Sequence, residues 1–246
     1  MKEQNKNGKY LNVGIIAAGD GSRLKAEGVN ISKPLIPVLG KPIIKWLIDA
    51  AVKLNASSIV CIVNEQSKDL ERFLKSFPQS KKVKIIVKTT PSSFHSLAEI
   101  SQFLKPPFLL ATADSVFCED EFSSFIEFGI NATDADLIVA STDFIEDEKP
   151  LYINLDDDGN VISFEDWDNH YDLVTGGLYL FKKEIYNEID EAINLNINRL
   201  RNFLRLLVNK NWKIQAYPFS KIIDVDHKSD IIKAEQLLNE QYKIKN

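Results

Sequence analysis

The chain has 246 residues, 44% of them hydrophobic, with 30 Lys and Arg against 35 Asp and Glu for a net charge of −5. That length suits one large α/β domain or two small ones, and the acidic balance excludes the broad basic face that nucleic-acid or anionic-membrane binding needs. No apolar run approaches the roughly 18 residues of a membrane span, and two cysteines, Cys61 and Cys118, are too few and too scattered for a disulfide framework or a zinc site. Both sit in apolar contexts and read as inert thiols. The start, "MKEQNKNGKY", has no apolar core of signal-peptide length. The expectation is a soluble, cytoplasmic protein with no nucleic-acid or membrane partner.

Apolar runs alternate with helical patterns along the first part of the chain. "NVGIIAA" (12–18) reads as a buried strand and "KPIIKWLIDAAVKL" (41–54) as an amphipathic helix. Strands follow at 58–64, 83–89, 107–114 and 135–141, separated by helices at 67–77, 93–104 and 119–130. Near-continuous apolar strands between helices predict a mostly parallel sheet covered on both faces. Near residue 150 the pattern changes. Residues 151–167 read as a hairpin around Asp158-Gly159, and 173–181 as another strand. A helix over 199–209, strands over 212–219 and 222–226, and a helix over 229–242 complete the chain, with Ser229 or Asp230 as its N-cap. There is no internal repeat and no low-complexity linker. The fold class is α/β: a Rossmann-like, mostly parallel mixed sheet flanked by helices, with a small β-rich lobe.

The first strand ends in Gly19-Asp20-Gly21-Ser22-Arg23. A P-loop would need Gly-Lys-Ser/Thr after its second glycine, and none follows. A dinucleotide fingerprint would need a third glycine where Leu24 stands and a helix opening there, and no helical pattern begins at that point. What remains is A-A-G-x-G-x-R-L followed by "SKPLIPVLGKPII". Gly19 and Gly21 would expose backbone N–H groups in a crowded turn. Arg23 offers a planar fork to phosphate oxygens and Lys33 a point charge. Lys33 and Lys41, each preceding a proline, are expected in extended backbone.

Residues 13–49 resemble the N-terminal signature of nucleotidyltransferases with a sugar-nucleotide pyrophosphorylase fold, and weaker similarity extends over nearly the whole chain. The resemblance implies one nucleotidyltransferase domain spanning 1–246: a nucleotide-binding part at about 10–145, an acceptor lobe at about 146–220 and a closing helix at about 228–243. It implies transfer of a nucleoside monophosphate from a nucleoside triphosphate to a phosphorylated sugar or alcohol, with Mg²⁺ and release of pyrophosphate. Arg23 and Lys33 would be catalytic, and Ala18, Gly19 and Gly21 would line the nucleotide.

Phosphate bound at the first loop calls for a divalent cation, held by one or two carboxylates with phosphates and waters. Asp114 ends the strand "PFLLATAD", and ligands in open α/β sheets bind outside the carboxyl ends of strands. It resembles the family's metal-binding aspartate, with Ala113 where glycine is frequent. "DVDHKSDI" (224–231) resembles the closing motif, whose spacing favours Asp226 as the second ligand, with Asp224 as the alternate. His227 reads as an exposed loop residue. Asp134, Asp136 and Asp156–Asp158 read as solvated turns.

"TTPSSFHSLAEI" (89–100) stands where relatives hold the base, with Ser92 and Ser93 in place of a glycine and with His95 free to stack or hydrogen-bond. In the β-rich lobe, Gly176 and Gly177 in "TGGLYLF" would let an acceptor lie against the backbone. Glu165 resembles an acceptor-binding glutamate. Relatives acting on sugar phosphates often follow it with a lysine, but here Asp166 and Trp167 follow, and Trp167 could face a ring or a quaternary ammonium. The base, the acceptor and a homo-oligomeric state stay open. The alternatives are a metal-dependent glycosyltransferase, for which an Asp-x-Asp exists at 134–136, and a catalytically silent nucleotide-binding protein.

Overall fold

A computed structural model describes residues 11–19, 21–76, 82–145 and 148–244. The polar start of the chain, Asp20 of the glycine loop and the final residue of the helix expected over 67–77 lie outside them.

β1 (Asn12–Ala17) is the axis of the fold. Its Val13, Ile15 and Ala17 turn to one face of the sheet and its Ile16 to the other, and all four are buried. A strand apolar on both faces needs cover on both. β1 pairs in parallel with β4 (Ser58–Val63) and β6 (Phe108–Thr112), and β4 pairs in parallel with β5 (Val83–Val87). Beyond β6 the direction reverses. The long β11 (Leu173–Phe181) runs antiparallel to β6 and pairs as well with β8 (Leu137–Thr142) and β9 (Tyr152–Leu155). β9 closes the expected hairpin with β10 (Val161–Glu165), and β12 (Ile214–Pro218) joins β8 in parallel. The β-rich segment therefore extends the central sheet, in the order β10-β9-β11-β6-β1-β4-β5.

Helices α2 (Ile43–Lys53), α3 (Lys68–Ser76) and α5 (Glu119–Asn131) cover the face of Val13 and Ile15. Helices α4 (Ser93–Ser101), α6 (Tyr186–Asn194) and α7 (Leu200–Asn209) cover the opposite face, where Phe94, Phe203 and Leu207 meet Ile16, Val60 and Ile62. Truncating a buried α2 residue such as Leu47 to alanine would cost about 2–5 kcal/mol in lost burial and cavity formation.

Several elements depart from the sequence reading. A five-residue helix, α1 (Ser22–Ala26), starts inside the glycine loop where no helical pattern was expected. Lys33 opens a short 3-10 turn over Lys33–Leu35 instead of an extended stretch. Lys41 is extended as expected, in β3 (Lys41–Pro42), paired with β2 (Pro37–Val38), so α2 begins only after Pro42. α6 was not anticipated. Last, α8 (Lys228–Ile244) begins one residue before Ser229. It packs Ala234, Leu237 and Leu238 on Leu24, Ile36 and Val225, a third apolar cluster that ties α1 and the 3-10 turn to the end of the chain.

Candidate active site

Two segments far apart in sequence meet at the carboxyl edge of β1 and β6. The first begins at Gly21, which caps α1 in the left-handed conformation (φ 61°) that glycine adopts without steric cost. α1 then carries Arg23, and the 3-10 turn carries Lys33. Asp69 anchors that turn, accepting from the Ser32 N–H at 2.8 Å and the Ser32 hydroxyl at 2.5 Å. Its carboxyl is destabilised by burial, but these hydrogen bonds outweigh that and hold its pKa below the ordinary carboxylate range.

The second segment runs through Asp114, two residues beyond β6, into β7 (Ser115–Phe117). β7 pairs antiparallel with β13 (Ile222–Asp224), and the Val225 N–H donates to the Asp114 carbonyl at 3.1 Å. This ladder brings the Asp226 loop onto Asp114. The Ser115 hydroxyl donates to Asp224 at 2.6 Å, so Asp224 is engaged in the ladder, while Asp226 reaches the cations. Lys33 Nζ donates to Asp114 Oδ2 at 2.7 Å and to Asp226 Oδ1 at 2.5 Å, and Arg23 Nη1 pairs with Asp226 Oδ2. Burial opposes the charge on Lys33, but Asp114 and Asp226 more than offset it and raise its pKa above the ordinary lysine value. Burial likewise opposes ionisation of Asp114, and Lys33 outweighs it. A cleft of about 290 Å³ is lined by Gly19, Gly21, Arg23, Lys33, Asp114 and Asp226.

His227 is not a free loop residue. Its Nδ1 lies 2.5 Å from Glu27 Oε1 and its Nε2 lies 3.2 Å from Glu148 Oε1. The hydrogen bond to Glu27 is the main reason its pKa rises above the ordinary histidine value. Asp230 accepts from the Asp226 and His227 N–H groups at 3.1 and 2.8 Å. A first-turn acid reaching back to the residue before its helix is a capping-box arrangement, and here it fixes the loop that presents Asp226. Glu27, Glu148 and Asp69 were missed by sequence reasoning, and Asp230 was named only as an alternative N-cap, whereas it caps from within the first turn. Only Asp230 left a signal, three residues after His227.

Asp114 and Asp226 converge on one positive charge, so their oxygens suit a magnesium ion completed by phosphate oxygens and water. Among the described residues, no three His, Cys, Asp or Glu side chains cluster as a self-contained metal site. The Asp134–Asp136 pair precedes β8, which runs in the same direction as β6, and so lies at the opposite edge of the sheet from Asp114. Asp136 accepts there from the Lys213 N–H at 3.0 Å and pairs with Lys183 at 3.0 Å.

A second cleft, of about 300 Å³, shares Asp114. Ser93 and Gly177 line it. Ser92 caps α4, and its hydroxyl lies 2.9 Å from His95 Nδ1. Ala18 is buried, and its carbonyl accepts from Asn64 at 3.3 Å. The two glycines of β11 answer to contacts within the protein. A Cβ on Gly176 would stand 2.1 Å from Ile222 Cδ1, and one on Gly177 (φ 73°) 2.4 Å from Thr112 Oγ1. Neither Glu165 nor Trp167 lines this cleft. Glu165 pairs with Tyr152 in the β9–β10 hairpin, and Trp167, just beyond β10, is 63% exposed.

A family model for nucleotidyl transferases matches residues 13–241. The chain belongs to the nucleotidyl transferase family. Among curated relatives, the bifunctional protein GlmU of Thermodesulfovibrio yellowstonii is 26% identical over 251 residues, covering 94% of this chain and 53% of the relative. A glucose-1-phosphate adenylyltransferase of Bacillus mycoides is 24% identical over 232 residues, covering 83% of this chain and 61% of the relative. The chain thus spans between half and two thirds of the length of these nucleotidyl transferase relatives. Among solved structures, the inositol-1-phosphate CTP transferase from T. maritima aligns with a TM-score of 0.80 at 16% identity, over 95% of this chain and 97% of that one. HddC from Yersinia pseudotuberculosis gives 0.70 at 21% identity, over 92% and 99%. At these identities the structural likeness is one of fold. Among the described residues, no helix is long and apolar enough to cross a membrane.

Proposed function

We propose that this nucleotidyl transferase joins a nucleoside monophosphate, taken from a nucleoside triphosphate, to a phosphorylated sugar or alcohol, and releases pyrophosphate. One observation carries the reading: Arg23 and Lys33 share a single cleft with Asp114 and Asp226, beside the glycine loop. The names of relatives agree, since they pair a nucleotide with glucose 1-phosphate or inositol 1-phosphate.

The acceptor's phosphate oxygen attacks the α-phosphorus as the bond from that phosphorus to the bridging oxygen breaks, and pyrophosphate departs with the electron pair. A phosphomonoester has a second pKa of roughly 6 and is already dianionic at neutral pH, so no general base is needed. The chain's task is to orient the reactants and stabilise charge. Arg23, Lys33 and the amides around Gly19 and Gly21 hold the triphosphate, and the Ser92–Ser93 loop borders the nucleoside. Asp114 and Asp226 would hold Mg²⁺, which supplies divalent charge against the phosphates when bound. The test is a pyrophosphate-release screen of the four nucleoside triphosphates against sugar phosphates, phosphocholine and related alcohol phosphates. Release with one pair supports the reading. Release of a nucleoside diphosphate from a sugar nucleotide instead would favour glycosyl transfer, and nucleotide binding without turnover across the panel would favour a silent binder.

A further inference from the structure

β4 lies between β1 and β5, and the three strands run parallel, so their carboxyl ends open side by side. Val63, the last residue of β4, pairs with Ala17 of β1 on one side and with Val87 of β5 on the other. The next residue, Asn64, therefore stands between the start of the glycine loop and the start of the loop that leads to Ser92 and Ser93. Its side chain is bonded on both sides.

Asn64 Nδ2 donates to the Ala18 carbonyl at 3.3 Å. Its Oδ1 accepts from the Gln66 N–H at 2.9 Å and from the Thr89 hydroxyl at 3.2 Å. A backbone N–H can only donate and a carbonyl can only accept, so these partners fix which way the amide faces. A carboxylate in its place would serve Gln66 and Thr89 but would set an oxygen against the Ala18 carbonyl. Beyond Thr89 the contacts continue. Thr90 Oγ1 donates to the Ser92 carbonyl at 3.4 Å and lies 2.6 Å from the hydroxyl of Ser96, which is buried in α4. One amide thus links the backbone that enters the glycine loop to the turn that opens α4.

We propose that Asn64 is a positioning residue that sets the spacing between the glycine loop and the Ser92–Ser93 loop, so that nucleoside and triphosphate are recognised as one ligand. This rests on the nucleotidyl-transfer reading, in which the first loop holds the triphosphate and the second borders the nucleoside. Asn64 acts through the two loops and not on the reacting atoms. A ligand that spans two subsites gains affinity only where their separation matches its own length. Loss of that match penalises the whole nucleotide and spares its phosphate part.

The test titrates the full chain, with magnesium, by calorimetry against the four nucleoside triphosphates and against inorganic tripolyphosphate. Wild type should bind tripolyphosphate, and at least one nucleoside triphosphate more tightly. Asn64→Ala adds no charge and should keep the fold by circular dichroism. It should weaken that nucleotide about tenfold or more and leave tripolyphosphate within about twofold. Thr89→Val, at an exposed position, breaks only the link towards α4. It should weaken the nucleotide about threefold or more, again sparing tripolyphosphate, and it decides the matter alone if Asn64→Ala does not fold. Equal losses for both ligands would mean that Asn64 only shapes the glycine loop, and would overturn the proposal. So would unchanged nucleotide affinity in both folded variants, or wild type that binds a nucleoside triphosphate no more tightly than tripolyphosphate. These outcomes leave the nucleotidyl-transfer reading standing, whereas wild type that binds no nucleoside triphosphate overturns that reading and this inference together. Where an acceptor is turned over, both variants should raise the nucleotide KM and leave the acceptor KM unchanged.

Discussion

Lys33 Nζ donates to Asp114 Oδ2 at 2.7 Å, joining the turn after α1 to the end of β6. The bond ties the cations expected to hold triphosphate to the carboxylates expected to hold metal. Leu24 of α1 and Ile36, just after the 3-10 turn, share an apolar cluster with β7, β13 and α8 that holds the two segments together. In this fold the distribution of opposed charges follows from the packing beneath them.

Arg23 should prove dispensable for folding and necessary for turnover. Its side chain is 35% exposed and its partners are the ends of Asp226 and Glu148. Arg23→Ala should lower kcat for pyrophosphate release by about two to three orders of magnitude, the usual loss when one charge-stabilising donor is removed. Its melting temperature should stay close to wild type. Near-normal kcat in a folded variant would remove Arg23 from the reaction.

The two late aspartates should behave differently. Asp226 faces Lys33 and Arg23, and Asp224 accepts from Ser115 in the β7–β13 ladder. Asp226→Asn should shift the magnesium dependence of turnover to much higher concentration. Asp224→Asn keeps an oxygen acceptor for Ser115 and should leave that dependence nearly unchanged. Equal shifts in a magnesium titration of both variants would contradict the assignment of Asp226.

Asp69 gives a pH signature. Its pKa is lowered in the folded protein, with the two bonds from Ser32 outweighing burial. A depressed acid contributes stability that is full above its unfolded pKa, near ~3.9, and is lost as pH falls through the folded value. Asp69→Ala should therefore cost about 0.5–1.5 kcal/mol at neutral pH, the net range for a hydrogen bond that solvent can partly replace. Urea midpoints of wild type and variant should converge in strongly acidic solution. A constant gap from neutral to acidic pH would show that ionised Asp69 does not hold the Lys33 turn.

The element types were legible wherever an apolar face was long enough to carry a period. β1, β4 and β6 are buried on both faces, and their continuous apolar runs say so. α1 has five residues and one buried side chain, Leu24, too little for helical spacing to register. α6 buries only Ile189 and Ala192 within an otherwise polar stretch. The glycine loop and Asp114 were legible because glycine spacing and the end of a strand are local features. Glu27, Glu148 and Asp69 were not, since each acts through a partner distant in sequence, such as His227 or Ser32. The pairing of Arg201 and Arg205 with Asp166 was hidden for the same reason.

Two glycines near the site should respond oppositely to an added methyl group. A Cβ on Gly19 would meet no atom within 4 Å, and its φ is not in the left-handed region. A Cβ on Gly177 would stand 2.4 Å from Thr112 Oγ1 and 2.6 Å from Ser115 Oγ, with φ at +73°. Thr112 and Ser115 are already bonded to each other at 2.8 Å, and Ser115 to Asp224, so neither hydroxyl can yield without breaking the ladder that presents Asp226. Gly177→Ala should therefore destabilise by about 1–3 kcal/mol from backbone strain alone, and by more once the hydroxyls are displaced. Gly19→Ala should fold normally, so any rise in its nucleotide KM reports on triphosphate lying against that backbone. Denaturant midpoints decide the first claim and steady-state kinetics the second. A stable Gly177→Ala with unaltered magnesium dependence would mean that the Thr112–Ser115–Asp224 chain does not set the position of Asp226.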